Sequence, residues 1–332
     1  MTSDKIKIVC FGGGTGLPTL LSGLKTNPFF EISAIVTMFD TGGSSGELKD
    51  KFGILPPGDI LKCLLALSKN EQTTREIFLK RITSTNSPGH TGGNILLLGL
   101  EKVYGGLTTA INALGEILSA SGKVYPVTLT KSALCAEFSD KSIVKGETLI
   151  DMGIFEGKVV NKLFLEPNIK ANPKALSAIK KADILIMGPG SFYTSLLPNF
   201  LPKGVREVIK NSKAKTIYVC NFLTEGYGMK DYQMDTFIKT VESYAGRKID
   251  KIIANSHIPH NRLGEYAQER KYPIKIPSKS PKNKIISAKL WTDPNLARHD
   301  QKRLSYLIDR VVFELLKIPF IKETTTIGAK NQ

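Results

Sequence analysis

Three observations predict a doubly wound, mainly parallel α/β sheet. Short apolar runs recur along the chain, helical patterns separate them, and glycine-rich polar loops follow several of the runs. Strands buried on both faces read as continuous apolar runs, and parallel neighbours need a crossover, which a helix supplies. Residues 6–11 read as the first strand, 15–25 as its helix and 32–39 as the second strand. Residues 57–68 read as a helix. Pro57 stands in its first turn, where a missing N–H is no loss, and Leu61, Leu64, Leu65 and Leu67 recur along it. Helices are predicted over 94–103 and 107–119, and short buried strands at 182–187, 216–220 and 249–255.

Two regions depart from the alternation. Between 123 and 166 the helical period is lost. β-branched runs at 124–129, 142–145 and 159–165 alternate with turn residues there, which predicts an antiparallel β excursion on the main sheet. Near the end, Leu304, Leu307, Ile308, Val311, Val312, Leu315 and Leu316 fall at helical spacing. They predict a long amphipathic helix over about 295–318, whose stripe core packing or a dimer face would explain equally well. Residues 322–332 read as a polar tail, leaving a single domain over 1–321.

The 332 residues, 41% hydrophobic and 23% charged, are long enough and apolar enough for a sizeable core. Cys10, Cys63, Cys135 and Cys220 lie far apart without C-x-x-C or zinc spacing, the usage of reduced thiols. No cleavable leader pattern and no run of membrane-spanning length appears, so a cytoplasmic location is expected. The net charge of +16, from 46 basic and 30 acidic residues, suits an anionic partner. Lysines dominate and are scattered, concentrating only over 271–289 with little aromatic interleaving. That pattern favours small anions over nucleic acid.

Six loops carry the candidate chemistry. Gly12-Gly13-Gly14-Thr15-Gly16 follows the first strand, where glycines let backbone N–H groups approach a ligand and the helix offers its positive end to phosphate. The dinucleotide fingerprint fails because its third glycine falls at Leu17, and no Walker lysine follows. A tight turn without ligand is the alternative reading. After the second strand come Asp40, Gly42, Gly43, Ser44 and Ser45, an acid for a ribose hydroxyl or a divalent metal beside donors for phosphate. Asp59 enters a helix at Pro56-Pro57-Gly58-Asp59, where ligand and helix-end roles are equally served. His90, Gly93 and Asn94 belong to Gly89-His90-Thr91-Gly92-Gly93-Asn94, a fourth helix entry. Gly188, Gly190 and Ser191 open the fifth loop, and Asn221 and Thr224 stand in the sixth, where Asn221 either reads a base edge or ribose or caps the strand. His257-x-x-His260 lacks a completing acid or cysteine for a metal, and no serine sits in a G-x-S-x-G elbow. Arg298, one of nine arginines, suits a phosphate or a uracil-like edge, or belongs to a surface cluster at a helix start.

As an ordered set, GGGTG (12–16), FDTGGSSG (39–46), PPGD (56–59), GHTGGN (89–94), GPGSFYTS (188–195) and Asn221 with Thr224 resemble the YvcK/CofD-like family. The likeness runs from residue 6 to about 310 and is closer to the YvcK branch, the gluconeogenesis factors. It implies a Rossmann-like fold that binds UDP-sugars, notably UDP-N-acetylglucosamine. Those members support cell-wall synthesis and cell shape during gluconeogenic growth, as regulators of partner proteins without known catalysis. It also implies that Asn221, Tyr266 and Arg298 hold the nucleotide sugar; the sequence alone reads Tyr266 as an exposed aromatic. The CofD branch instead transfers a phosphate-linked lactyl-type group from a guanosine diphosphate donor to the deazaflavin Fo, with magnesium. Many relatives carry two adjacent aspartates where this chain has Asp40-Thr41. A single carboxylate can still hold Mg²⁺ through water and phosphate oxygens, but the departure weakens the transferase reading.

Overall fold

Strands β1 (Ile6–Gly12) and β9 (Ile184–Met187) lie side by side inside a seven-stranded sheet whose every pairing is parallel. Beyond β1 come β2 (Phe30–Val36) and β5 (Gly122–Pro126). Beyond β9 come β10 (Lys215–Val219), β11 (Lys251–Asn255) and β12 (Ile285–Ala288). The computed structural model describes residues 5–40, 55–84, 87–259, 262–277, 284–293 and 295–319. The inner strands are buried along their length, which is why Ile8–Phe11 and Ile184–Met187 contain no polar residue. Register is set accordingly, Cys10 pairing with Ala34 on one side and Ile186 on the other.

Helices α1 (Gly16–Leu24), α2 (Gly58–Leu67), α3 (Glu71–Phe78), α4 (Gly92–Tyr104), α5 (Leu107–Ile117), α6 (Glu147–Glu156), α7 (Pro173–Lys181), α8 (Val205–Asn211), α9 (Met234–Ala245), α10 (Leu263–Gln268) and α11 (Gln301–Leu316) accompany the strands. The strand order grows from β1 toward β5 and then, across β1, from β9 toward β12. The order therefore reverses between β1 and β9. Loops leaving their carboxyl ends diverge there and open a crevice.

Several expectations are corrected. Of residues 124–129, predicted within the antiparallel excursion, 124–126 belong instead to β5, which extends the parallel sheet beside β2. The excursion itself is β6 (Ala133–Phe138), β7 (Ile143–Lys145) and β8 (Val160–Glu166), antiparallel in the order β7-β6-β8, and it contains a helix, α6. That helix carries no helical period in the sequence because its apolar residues surround it: Ile150 and Ile154 are buried, whereas Leu149, Met152 and Phe155 are exposed. A hairpin of β3 (Arg81–Ser84) and β4 (Ser87–Thr91) was also not predicted, so His90 stands in a strand rather than a loop.

The last helix starts at Gln301 rather than near 295, because the Asp300 carboxylate accepts the Arg303 N–H at 2.9 Å and caps it. Leu304, Ile308, Val311 and Val312 are in the core. The helix lies so close to α1 that a side chain at Gly23 would meet Ser305 at 2.8 Å, so core packing accounts for the stripe. All four cysteines are buried free thiols, and among the described residues no helix is long and apolar enough to cross a membrane. The 322–332 tail lies outside the described residues.

Lys25 fixes α1 in place. Its Nζ donates to the carbonyls of Ala66 and Ser68 and to Glu71, each at 2.7 Å, tying the end of α1 to the corner between α2 and α3. Lys25→Met leaves those acceptors unmet and is expected to cost about 2 kcal/mol. Urea unfolding checks this; an unchanged midpoint would refute it.

Candidate functional site

The first turn is built for close approach. After β1 the chain passes through Gly14 at φ 60°, a left-handed conformation that favours glycine. At Gly16, the first residue of α1, a side chain would sit 2.7 Å from the carbonyl of Pro189 and 2.9 Å from the Gly190 nitrogen. The turn after β1 and the loop after β9 are therefore in backbone contact. Buried Asn199 fastens them, its Nδ2 donating to the Gly12 carbonyl at 3.1 Å and the Ser195 carbonyl at 2.9 Å. Asn221, just beyond β10, adds the third loop by donating from Nδ2 to the Gly190 carbonyl at 2.9 Å.

These loops wall a cavity of about 610 Å³ at the switch point. Of the sequence-predicted residues, Gly14, Thr15, Gly16, Gly190, Ser191, Asn221, Thr224, Tyr266 and Arg298 line it. Tyr266 is not the exposed aromatic that the sequence predicts. It is buried, edge-on to Trp291 with ring centroids 5.6 Å apart, and its hydroxyl accepts the Ala297 N–H at 3.0 Å, which ties α10 to the segment carrying Arg298. Thr224 exchanges hydrogen bonds with Tyr272, donating its N–H to that carbonyl at 2.8 Å and accepting the Tyr272 N–H on Oγ1 at 3.0 Å. A second cavity of about 760 Å³ shares Asp151, Ser191, Glu225, Glu269 and Lys271 with the first and continues past Met152 and Phe155.

Other predicted residues stand behind the wall. Asp59 reaches into the glycine turn, accepting the Gly14 N–H on Oδ2 at 2.5 Å while its Oδ1 pairs with Lys62 at 2.9 Å. Its carboxylate thus takes the N–H that an anion would have used there, and it supports the turn. Gly13 fits between Thr37 and Asp59, and Gly12 and Gly188 lie at the ends of β1 and β9. His90, Gly93 and Asn94 are not among the cavity's lining residues. Gly93 packs against Leu61, and the Asn94 N–H donates to the capping Thr91 hydroxyl at 3.3 Å. Gly42, Gly43, Ser44 and Ser45 lie outside the described residues, as does His260.

Facing the glycine loops is a wall of carboxyl groups that sequence reasoning missed. Glu147 and Asp151 stand one turn apart on α6, and Glu225 accepts the Ser191 hydroxyl at 3.0 Å and the Phe192 N–H at 3.2 Å. Burial, together with the neighbouring carboxylates of Asp40, Asp151 and Asp59, pushes Glu147 up to about 8. Burial also pushes Glu225 up to about 7, and partial desolvation pushes the more exposed Asp151 up to about 6. The available signal was the Glu147/Asp151 spacing of four, which has meaning only on a helix and lay in a region read as strands. Arg262, Lys271 and His299 also line the cavity without having been singled out as ligand contacts.

Asp40, the candidate metal ligand, hydrogen-bonds Glu147. Among the described residues no three acids, histidines or cysteines are grouped to hold a metal ion. Asp40 and Glu147 are two carboxyl groups in hydrogen-bond contact, fewer than the six oxygen ligands that Mg²⁺ takes, so water and phosphate oxygens would have to complete the set.

A protein-family model described as 2-phospho-L-lactate transferase CofD matches residues 8–291. The chain belongs to the CofD family. Within it, the chain is similar to a putative gluconeogenesis factor of Thermotoga maritima, 37% identical over 314 residues and covering 92% of this chain and 99% of the relative. A gluconeogenesis factor of Bacillus subtilis is also 37% identical over 314 residues, covering 92% and 98%. One of Listeria innocua is 42% identical over 256 residues, covering 76% and 78%. A crystal structure of a UPF0052-family protein from Bacillus halodurans superposes with a TM-score of 0.85 at 36% identity, covering 92% of this chain and 99% of that one. The CofD family and the gluconeogenesis-factor likeness expected from the motif order both hold.

The acid wall of this CofD-family chain has a pH signature. Folded, Glu147 keeps its proton up to about 8, whereas the unfolded chain releases it from about 4.5. The native state therefore binds the extra proton, and this group's contribution to stability falls as pH rises from about 4.5 to about 8. Glu147→Gln is expected to stabilise the protein at pH 8 by on the order of 1 kcal/mol after solvent screening, with little effect at pH 4. Thermal melts at the two pH values test this; equal shifts at both would refute it.

Proposed function

We propose that this protein binds a nucleotide sugar of the UDP-N-acetylglucosamine type and acts as a regulator rather than an enzyme. Its role would be to support gluconeogenic growth, cell-wall synthesis and cell shape through a partner protein that responds to the ligand. The observation that carries the reading is the cavity of about 610 Å³ where the loops after β1, β9 and β10 meet Tyr266 and Arg298. Its volume falls in the range of roughly 300–1,000 Å³ usual for small-molecule sites. The first N–H groups of α1 have no partner within the helix and favour an anion such as a diphosphate. The continuing cavity past Met152 gives the sugar room, and the carboxyl groups of Asp151 and Glu225 suit its hydroxyls. Relatives named gluconeogenesis factor, at 37–42% identity, support the physiological role.

One observation favours a second reading, a magnesium-dependent transferase: the matched family model carries a transferase's name. Release of guanosine monophosphate from a guanosine diphosphate-linked donor, in the presence of Mg²⁺ and the deazaflavin Fo, would establish turnover and displace the regulatory reading.

Isothermal titration with UDP-N-acetylglucosamine, with and without Mg²⁺ and with GDP as control, is expected to give saturable binding that favours the UDP-sugar. Preference for GDP with Mg²⁺ would overturn that expectation. Arg298→Ala is expected to weaken UDP-sugar binding by about 1.5–3 kcal/mol, the scale of a charge-assisted hydrogen bond. Unchanged affinity would remove Arg298 from the ligand contacts.

A further inference from the structure

Helix α7 covers the sheet over β1 and β5, yet much of the contact between them is polar on both sides. A parallel sheet covered by a helix is ordinarily apolar there. Instead, Lys7 of β1 pairs in register with Glu31 of β2, and Ser33 of β2 with Lys123 of β5. One face of three neighbouring strands carries all four. Opposite them, Lys174, Ser177 and Lys181 fall three and four residues apart, on one face of α7. Both sets line a cavity of about 190 Å³.

The charge in this cavity is unbalanced. Lys7, Lys123, Lys174 and Lys181 form no ion pair among the described residues. Glu31 is the one carboxyl residue among those lining it. Ordinary placement explains part of this. Lysine on an edge strand discourages pairing with another sheet, which accounts for Lys123, and Lys181 suits the carboxyl end of its helix. Neither reason reaches Lys7, whose strand has neighbours on both sides, or Lys174, in a first turn where the helix dipole disfavours a cation. Like charges converging on one cavity repel unless an anion stands among them.

Size and chemistry limit the occupant. At roughly 30 Å³ per water the volume equals about six water molecules, room for a small molecule and not for a nucleotide sugar. Ammonium groups with the hydroxyls of buried Ser33 and of Ser177 suit a phosphate group, and the Glu31 carboxylate accepts a hydroxyl of the molecule that bears it.

We propose that the cavity beneath α7 is a second binding site, which takes a small phosphate monoester carrying hydroxyl groups, a phosphorylated sugar or polyol. It lies at the amino ends of β1, β2 and β5, with Lys7 roughly 17 Å along β1 from Gly12, whereas the crevice opens at the carboxyl ends. The site is separate from the nucleotide cleft and does not rest on the reading given for that cleft.

The test is isothermal titration of the full chain, at constant ionic strength, with glucose 6-phosphate, glycerol 3-phosphate, inorganic phosphate and glucose. At least one ester is expected to bind saturably and more tightly than inorganic phosphate, with no binding of glucose. Saturating UDP-N-acetylglucosamine is expected to leave ester binding intact, a comparison that needs no variant. In the folded double variant Lys7→Gln/Lys174→Gln, ester affinity is expected to fall about tenfold or more, the scale of one or two charge-assisted contacts, with UDP-sugar binding unchanged. Absence of saturable binding by both esters would overturn the site. Displacement of the ester by the UDP-sugar, or undiminished affinity in the folded double variant, would also overturn it. Inorganic phosphate binding as tightly as either ester would overturn the assignment to an ester. A wild type that binds an ester but no UDP-sugar would overturn the nucleotide reading alone, and the double variant would still decide this site.

Discussion

The contact between Gly16 and the Pro189 carbonyl is the constraint on which the site depends. A methyl group at Gly16 would stand 2.7 Å from that carbonyl, so the two loops touch only because the position has no side chain. Their contact brings the carboxyl ends of β1 and β9 together at the point where the strand order reverses. Asn199 and Asn221 then work as fasteners, each donating to a carbonyl of the joined loops. Three loops from distant parts of the chain become one wall because their backbone groups bond one another. The glycines serve this approach, and the surface that results walls the cavity.

Charge in the cleft does not follow charge in the chain. The chain carries +16, yet Glu147, Asp151, Glu225 and Glu269 line the cavity beside Arg262, Lys271 and Arg298. Lys271 pairs with Glu269 at 2.7 Å and Arg262 with Glu265 at 2.5 Å, which answers much of the local positive charge. An extended polyanion would meet a mixed wall with several carboxyl groups on it. A small ligand with a compact anionic part and many hydroxyls meets donors on the glycine side and carboxyl groups opposite, an arrangement that favours it over nucleic acid.

Legibility in the sequence followed the range of the interactions. The strands around Ile8–Phe11 and Ile184–Met187 were readable because burial on both faces leaves a continuous apolar run. The glycine loops at 12–16 and 188–190 were readable because composition alone marks them. Helix α6 was not, since exposed Leu149, Met152 and Phe155 erase the period that a buried stripe would show. With α6 went Glu147 and Asp151. Tyr266 was read as exposed because α10 is a six-residue helix whose burial depends on Trp291 and the Ala297 backbone, both distant in sequence. His299 stands beside Arg298, and only its bond to Cys220 and its packing on Phe222 distinguish it.

By itself, the order of residues determined the α/β class, the glycine turns at the ends of strands and the membership that the ordered motifs carry. These depend on local properties: side-chain period, backbone freedom and residue type at fixed spacing. The tertiary structure alone decided which loops meet, that Asp59 supports the glycine turn, and that an acid wall faces the donors. It also decided that the Asn199 and Asn221 amides fasten the joined loops. Each of those outcomes is a matter of distance, burial and hydrogen-bond completion between residues tens to hundreds of positions apart, quantities that exist only once the chain has folded.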